Sequence, residues 1–112
     1  MRMDSSSSLD SERPVKLRVA KQAQRHIETI DAWWRANRPE APSFLSELDA
    51  TFRRLTERPE YGPSWPTARR PDLRRVLLSV SQNHVYYRVD RATQTINVLA
   101  VWGAPRGRGP RL

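Results

Sequence analysis

The chain has no cysteine, only two histidines and only four glycines among its 112 residues, and each shortage closes off a class of function. Without cysteine there is no disulfide framework, no thiolate nucleophile and no sulfur ligand for zinc. His26 and His84 lie too far apart in sequence to read as a metal-ligand pair, so chemistry here is expected to be free of metal and cofactor, or absent. Nor does any run approach the roughly 18 apolar residues that a membrane span requires. Residues 1–13 carry serines where a secretory signal would carry its apolar stretch, so a cytoplasmic location with no membrane partner is expected. A chain of this length fits one domain that buries about 60–65% of its unfolded surface, which leaves little room for a deep active-site cavity.

What is abundant is positive charge, and it is unevenly placed. Residues 1–60 hold 11 basic and 10 acidic side chains, whereas residues 61–112 hold 9 basic and 2 acidic. The first half therefore contributes +1 and the second +7 to the formal charge of +8. A one-signed field of this kind steers an acidic or polyanionic partner toward the second half.

The polar, serine-rich stretch 1–13 cannot offset the entropy of becoming ordered and is expected to be a flexible tail before a single domain at 14–112. Val15, Leu17 and Val19 alternate with Lys16 and Arg18, which predicts a strand over about 14–20. Ala23, Ile27, Ile30 and Trp34 step by four, three and four, a helical stripe that runs from Lys21 to Arg38 and stops at Pro39. Trp33, beside that stripe, is assigned to the core. A second helix starts at Pro42, carries Leu45, Leu48, Phe52 and Leu55 on one face, and stops at Pro59. The short link between the two helices makes them antiparallel neighbours. Residues 60–73 hold three prolines and no periodicity, and so form a loop.

Three strands follow, at about 74–80, 84–90 and 95–102, joined by links short enough for hairpins. The fold class is therefore α+β, in the order β-α-α-β-β-β, with the helical hairpin on one face of a mainly antiparallel four-stranded sheet. Alternation sorts the faces. Val76, Leu78, Val80, Val85, Tyr87 and Val89 should face the helices, with Ile27, Ile30, Leu48 and Phe52 opposite them; Arg75, Leu77, His84, Tyr86 and Arg88 should lie on the open face. The last strand is apolar on both faces, with Ile96, Val98, Ala100 and Trp102 on one side and Leu99 and Val101 on the other. Something should pack over its outward side. Arg69, Arg70, Arg74 and Arg75 cluster beside the sheet edge and form a candidate binding patch; Tyr86 and Arg88 on the open face, and Arg106 and Arg108 after the last strand, are further candidate contacts.

The segments PEAPSFLSELDATFRRLTERPEYG, LRRVLLS, HVYYRVD and INVLAVWGAPRGRGP, in this order of elements, resemble the RelE/ParE superfamily of bacterial type II toxins, most closely its ParE-like branch. The resemblance covers about residues 15–110. It implies a toxin neutralised by a small antitoxin protein from an adjacent gene, in a hetero-oligomeric complex, with DNA gyrase as the target and no catalytic residues. The same resemblance offers an alternative, a ribosome-dependent endoribonuclease that cleaves mRNA, in which Arg75, His84, Tyr86 and Arg106 would surround the phosphate. Against it, Leu77 stands where a basic residue is expected, His84 where an arginine is expected, and Gly103 follows Trp102 where relatives often carry histidine. A third reading, a plain nucleic-acid-binding domain, rests on the basic half alone.

Overall fold

The computed structural model describes residues 15–103 together with 110 and 112; the expected tail at 1–13 lies outside them. Six elements follow one another: β1 (Lys16–Val19), α1 (Lys21–Asn37), α2 (Phe44–Glu57), β2 (Arg74–Leu78), β3 (Asn83–Asp90) and β4 (Thr95–Gly103). The strands make one sheet in the order β1-β4-β3-β2, with β1 parallel to β4 and the other pairs antiparallel. This is the α+β arrangement that the hydrophobic periods predict.

Local chemistry fixes the element ends. Helix α1 begins as soon as β1 leaves the sheet, where the Ala20 N–H still donates to Val98 O at 2.9 Å and the Gln24 side chain donates to Val19 O at 3.1 Å. Helix α2 starts two residues later than the proline signal suggested. Ser43 is its N-cap, with Oγ accepting from the Ser46 N–H at 3.3 Å. That hydroxyl satisfies an amide the first turn would otherwise leave unpaired, so Pro42 precedes the helix rather than opening it. The turns that follow β2 and β3 each contain a residue in the left-handed region, Gln82 (φ 60°) and Gln94 (φ 51°). Glu47 of α2 holds the first of these turns, its carboxylate accepting from the N–H groups of Val80 (2.7 Å) and Ser81 (3.0 Å).

The main core lies between the helices and the sheet. Ala23, Phe44, Leu48 and Leu55 are buried there against Val76, Leu78, Val85, Tyr87, Ile96, Val98 and Val101, with Ile27, Ile30, Trp34, Phe52 and Val89 partly buried around them. Four sequence assignments change. Phe44 replaces Leu45 as the inward residue of the first α2 turn, because the helix begins at Phe44 and Leu45 falls on the outer side, 38% exposed. Trp33 is 52% exposed, just outside the arc that α1 turns toward the sheet. Val80 is also 52% exposed, because β2 ends at Leu78 and alternation no longer governs it.

The fourth change is in β4. Tyr86 pairs with Ala100 and Tyr87 with Val98, so Leu99 is an extra residue in β4. This bulge shifts the alternation by one. Ile96, Val98 and Val101 therefore share the helix-facing core, while Leu99, Ala100 and Trp102 join Leu73 and Tyr86 in a second cluster on the open face. Regular alternation would have put Ala100 and Trp102 with Ile96 and Val98.

Candidate functional site

The open face is organised by the loop between α2 and β2. Its first part is bonded to the buried Tyr87: the phenol donates to Pro59 O at 2.8 Å and accepts from the Gly62 N–H at 2.8 Å. Gly62 has no room for a side chain, since a Cβ there would lie 2.8 Å from Tyr87 Oη and 2.9 Å from Arg75 O. Burial pushes the Tyr87 phenol above its ordinary pKa of 10.0, against the opposing pull of the Gly62 N–H and Arg74. It remains a neutral donor. The Arg74 guanidinium then donates to Gly62 O at 2.7 Å and Glu60 O at 3.3 Å, and Arg91 pairs with Glu60. Further along, Trp65 N–H donates to Leu73 O (2.8 Å) and Arg75 N–H to Pro63 O (3.1 Å), so the loop runs along the outer edge of β2.

This placement brings Trp65 over Arg75. The guanidinium carbon lies 3.4 Å from the centroid of the Trp65 ring, and the same group donates to Tyr86 Oη at 3.2 Å. The His84 ring meets Tyr86 edge-on at a centroid distance of 6.1 Å. Burial first, and the Arg75 charge second, hold His84 below its ordinary pKa of 6.5. It is neutral at pH 7. Trp65, Arg75 and His84, together with Tyr61, Pro63, Ser64, Val76 and Leu77, line an open hollow of about 540 Å³ at the β2 edge, with Tyr86 behind Arg75 and His84. Tyr61, Trp65 and Leu77 are 40%, 46% and 46% exposed, so the hollow presents aromatic and aliphatic surface around one cation.

The predicted site residues divide accordingly. Arg75, His84 and Tyr86 do meet. Arg74 turns to the loop carbonyls, and Arg88 pairs with Asp72 at 3.0 Å. Arg69 is exposed and Arg70 half-buried within the loop, and neither lines the hollow. Arg106 and Arg108 lie outside the described residues. Trp65 and Tyr61 were missed; the only trace in the sequence was two aromatic residues in a proline-rich loop, a place where no core demands them. Among the described residues no group of His, Asp or Glu side chains is arranged to hold a metal ion, and no helix is long and apolar enough to cross a membrane.

The sequence model of the ParE toxin of the type II toxin-antitoxin system parDE matches residues 17–106. The chain belongs to the ParE toxin family. It is thus the toxin component of a type II toxin-antitoxin system, within the RelE/ParE superfamily that its segments resemble. No curated protein sequence matches this ParE-family chain at a significant level. Among solved structures it is similar to the RelBE2 toxin-antitoxin complex of Mycobacterium tuberculosis, with a TM-score of 0.59 at 16% identity over 80% of this chain and 98% of that one. It is also similar to the isolated RelE toxin of E. coli (TM-score 0.56, 19% identity, 84% and 88% covered) and to the archaeal RelE-RelB complex of Pyrococcus horikoshii (0.57, 16%, 84% and 99%). At such identities these similarities establish the fold alone.

Proposed function

We propose that this ParE-family toxin acts in the cytoplasm by inhibiting DNA gyrase through binding, without an active site of its own, and that a small cognate antitoxin neutralises it in a hetero-oligomeric complex. One observation carries the reading against a nuclease: Arg75 is the one arginine among the described residues that lines the open-face hollow, and Trp65 and Tyr86 already engage it. Metal-free cleavage of RNA needs an acid, a base and several cations converging on one phosphate. Here the neighbouring histidine is held neutral, Leu77 takes a position facing the hollow, and Arg74 and Arg88 are committed to loop carbonyls and to Asp72. A half-buried cation framed by aromatic rings is instead the composition of a protein-binding surface, where Trp, Tyr and Arg dominate the energetics.

Support for the antitoxin comes from the other side of the molecule. The last turns of α1 and the β2–β3 turn flank a groove of about 590 Å³ lined by Ile30, Trp33, Trp34, Val80 and Asn83, in which Trp33 and Val80 are the exposed apolar members. Two structural relatives were solved as toxin-antitoxin complexes. A groove of this shape suits the apolar stripe of an amphipathic partner segment.

The test is a supercoiling assay with purified gyrase, in which the toxin should block supercoiling and its antitoxin should restore it. Cleavage of mRNA on translating ribosomes, abolished by Arg75→Ala or His84→Ala, would overturn the gyrase reading and make the chain an enzyme.

A further inference from the structure

Arg35, Arg53, Arg88 and Arg91 each sit beside a carboxylate, those of Asp31, Asp49, Asp72 and Glu60 in turn. Arg75 has no such partner among the described residues. Its contacts are the Tyr86 hydroxyl, which accepts one N–H at 3.2 Å, and the Trp65 ring, whose centroid lies 3.4 Å from the guanidinium carbon. A guanidinium carries five N–H donors, so most of its donor edge is left for the hollow that it lines. Nor can the surrounding face supply an anion. The acidic residues of the second half are Asp72 and Asp90; the first pairs with Arg88, and the second accepts from the N–H groups of Ala92 and Thr93 in the turn after β3. A half-buried cation stacked on an indole thus bears a desolvation cost that no opposite charge offsets.

We propose that the hollow at the β2 edge is a carboxylate clamp: Arg75 takes an Asp or Glu side chain of an extended target segment, and Leu77 takes an aliphatic side chain two residues away in that segment. The inference rests on the reading of this hollow as the target-binding surface and adds the chemistry that it selects. Arg75 and Leu77 are separated by one residue of β2 and both line the hollow, so they stand about 6.6 Å apart along the strand. An extended peptide repeats its side chains on one face at the same interval, so an acidic and an aliphatic residue at positions i and i+2 match the pair. One carboxylate also suits one cation. His84 is neutral, and Leu77 and the rings of Tyr61 and Trp65 carry no charge, so a nucleic-acid backbone, which brings several anions, would find only one of them matched here. Trp65 is a positioning residue. Its ring against one face of the guanidinium, and the Tyr86 hydroxyl at one end, fix the plane in which the remaining N–H groups can meet two carboxylate oxygens side by side. A lysine at this position would keep the charge and lose that paired geometry.

The probes are the capped peptide Ala-Glu-Ala-Leu-Ala and its reverse, their counterparts with Gln for Glu, and a short oligouridylate. Each is added to the full chain while the backbone amide signal of Leu77 is followed, and supercoiling inhibition of gyrase is titrated in parallel. A Glu peptide should shift that signal with an apparent affinity at least about 10-fold above that of its Gln counterpart, as a charge-assisted contact requires. Arg75→Lys should weaken both peptide binding and gyrase inhibition by about 10-fold with the unfolding midpoint unmoved, since only the paired geometry is lost. Trp65→Ala should weaken both by about 3- to 10-fold, and Trp65→Phe, which keeps a ring against the guanidinium, should restore most of that loss. No shift with either Glu peptide, equal affinity for the Glu and Gln peptides, or an Arg75→Lys variant that binds as the parent does would overturn the clamp. So would an oligouridylate that displaces the Glu peptide with the higher affinity, because the hollow would then be a phosphate site. If the Glu peptide binds as expected while the parent fails to inhibit gyrase, the clamp stands and the target assignment falls.

Discussion

The two faces of the sheet are built from the same strands and answer to different demands. On the helix side the buried set is continuous: side chains from β2, β3 and β4 meet Ala23, Phe44, Leu48 and Leu55, and the buried phenol of Tyr87 has both its hydrogen bonds made. On the open side the buried hydrophobic cluster among the described residues is Leu73, Tyr86 and Ala100, and around it lie a guanidinium stacked on an indole, a neutral histidine and an exposed leucine. The first face has the composition of a core and the second that of an interface. Burial that closes on itself stabilises the fold, whereas apolar surface left beside a single cation is available to a partner. Substitutions on the helix side should therefore cost stability, and those on the open side should cost binding.

The largest effect is expected where burial is complete. Leu55 is fully buried, and Leu55→Ala should cost about 2–5 kcal/mol in denaturant unfolding through lost transfer energy and the cavity left behind. Phe52 sharpens the point, because it is partly buried rather than enclosed; Phe52→Ala should cost less than the roughly 3–5 kcal/mol typical of an enclosed phenylalanine. Equal losses at the two positions would mean that the inner arc of α2 is wrongly oriented.

The next effect is at the loop that joins the faces. Tyr87→Phe keeps the ring but leaves the Gly62 N–H and the Pro59 carbonyl without the partner each has in the phenol, a cost of about 1–3 kcal/mol for buried groups left unsatisfied. It should also loosen Trp65 from Arg75, read as a change in tryptophan fluorescence. A stable Tyr87→Phe variant with unaltered fluorescence would show that the loop holds its place by other means.

Arg75→Ala is expected to separate stability from function. The charged group makes one bond to Tyr86 and one stacking contact with Trp65, and a charge-assisted contact to a target is worth about 1.5–3 kcal/mol, or roughly 10- to 150-fold in affinity. Gyrase inhibition should weaken by that factor while the unfolding midpoint moves little. Nuclear magnetic resonance should also find the His84 pKa higher in the variant, since one of the two influences holding it down is gone. An unfolding loss as large as that of Leu55→Ala would place Arg75 with the core.

Much of this architecture was legible in the residues. The step of three and four in α1 and α2, and the alternation of β2 and β3, map onto burial except at Leu45 in the first turn of α2 and at Val80 beyond the end of β2, because each element keeps one period along its length. The open-face trio Arg75, His84 and Tyr86 followed from the same alternation. What escaped was decided by long-range geometry. Asn97 to Trp102 is almost uniformly apolar, so nothing in it marks Leu99 as the residue at which the pleat slips. Arg74 and Arg75 look equivalent as neighbours, yet one is directed to Gly62 and Glu60 by a loop anchored on Tyr87, and the other meets Trp65 through the same loop. Leu112 contacts a cluster that exists only after the bulge has turned Ala100 outward.

The smallest expected effect concerns His84, whose position on the open face makes it sensitive to pH. Its pKa in the folded protein lies below the ordinary 6.5, chiefly through burial and then through Arg75. Well above pH 6.5 the ring is neutral whether the chain is folded or not, and it contributes no pH dependence. As the pH falls below 6.5, the unfolded chain takes up the proton first, so the folded state loses stability until its own lower pKa is passed. His84→Gln removes this linkage. Denaturant unfolding of the parent and the variant between pH 5 and 8 should therefore give parallel stabilities above pH 7.5 and a parent that weakens relative to the variant on acidification. Because the comparison holds His26 constant, the difference isolates His84. Gyrase inhibition at pH 7.5 should be nearly unchanged by the substitution, since a neutral ring at the rim of the hollow gives a target no charge to bind. A parent that gained stability over the variant at low pH would mean that protonated His84 has found an anion on the open face, giving the hollow a second charged group beside Arg75.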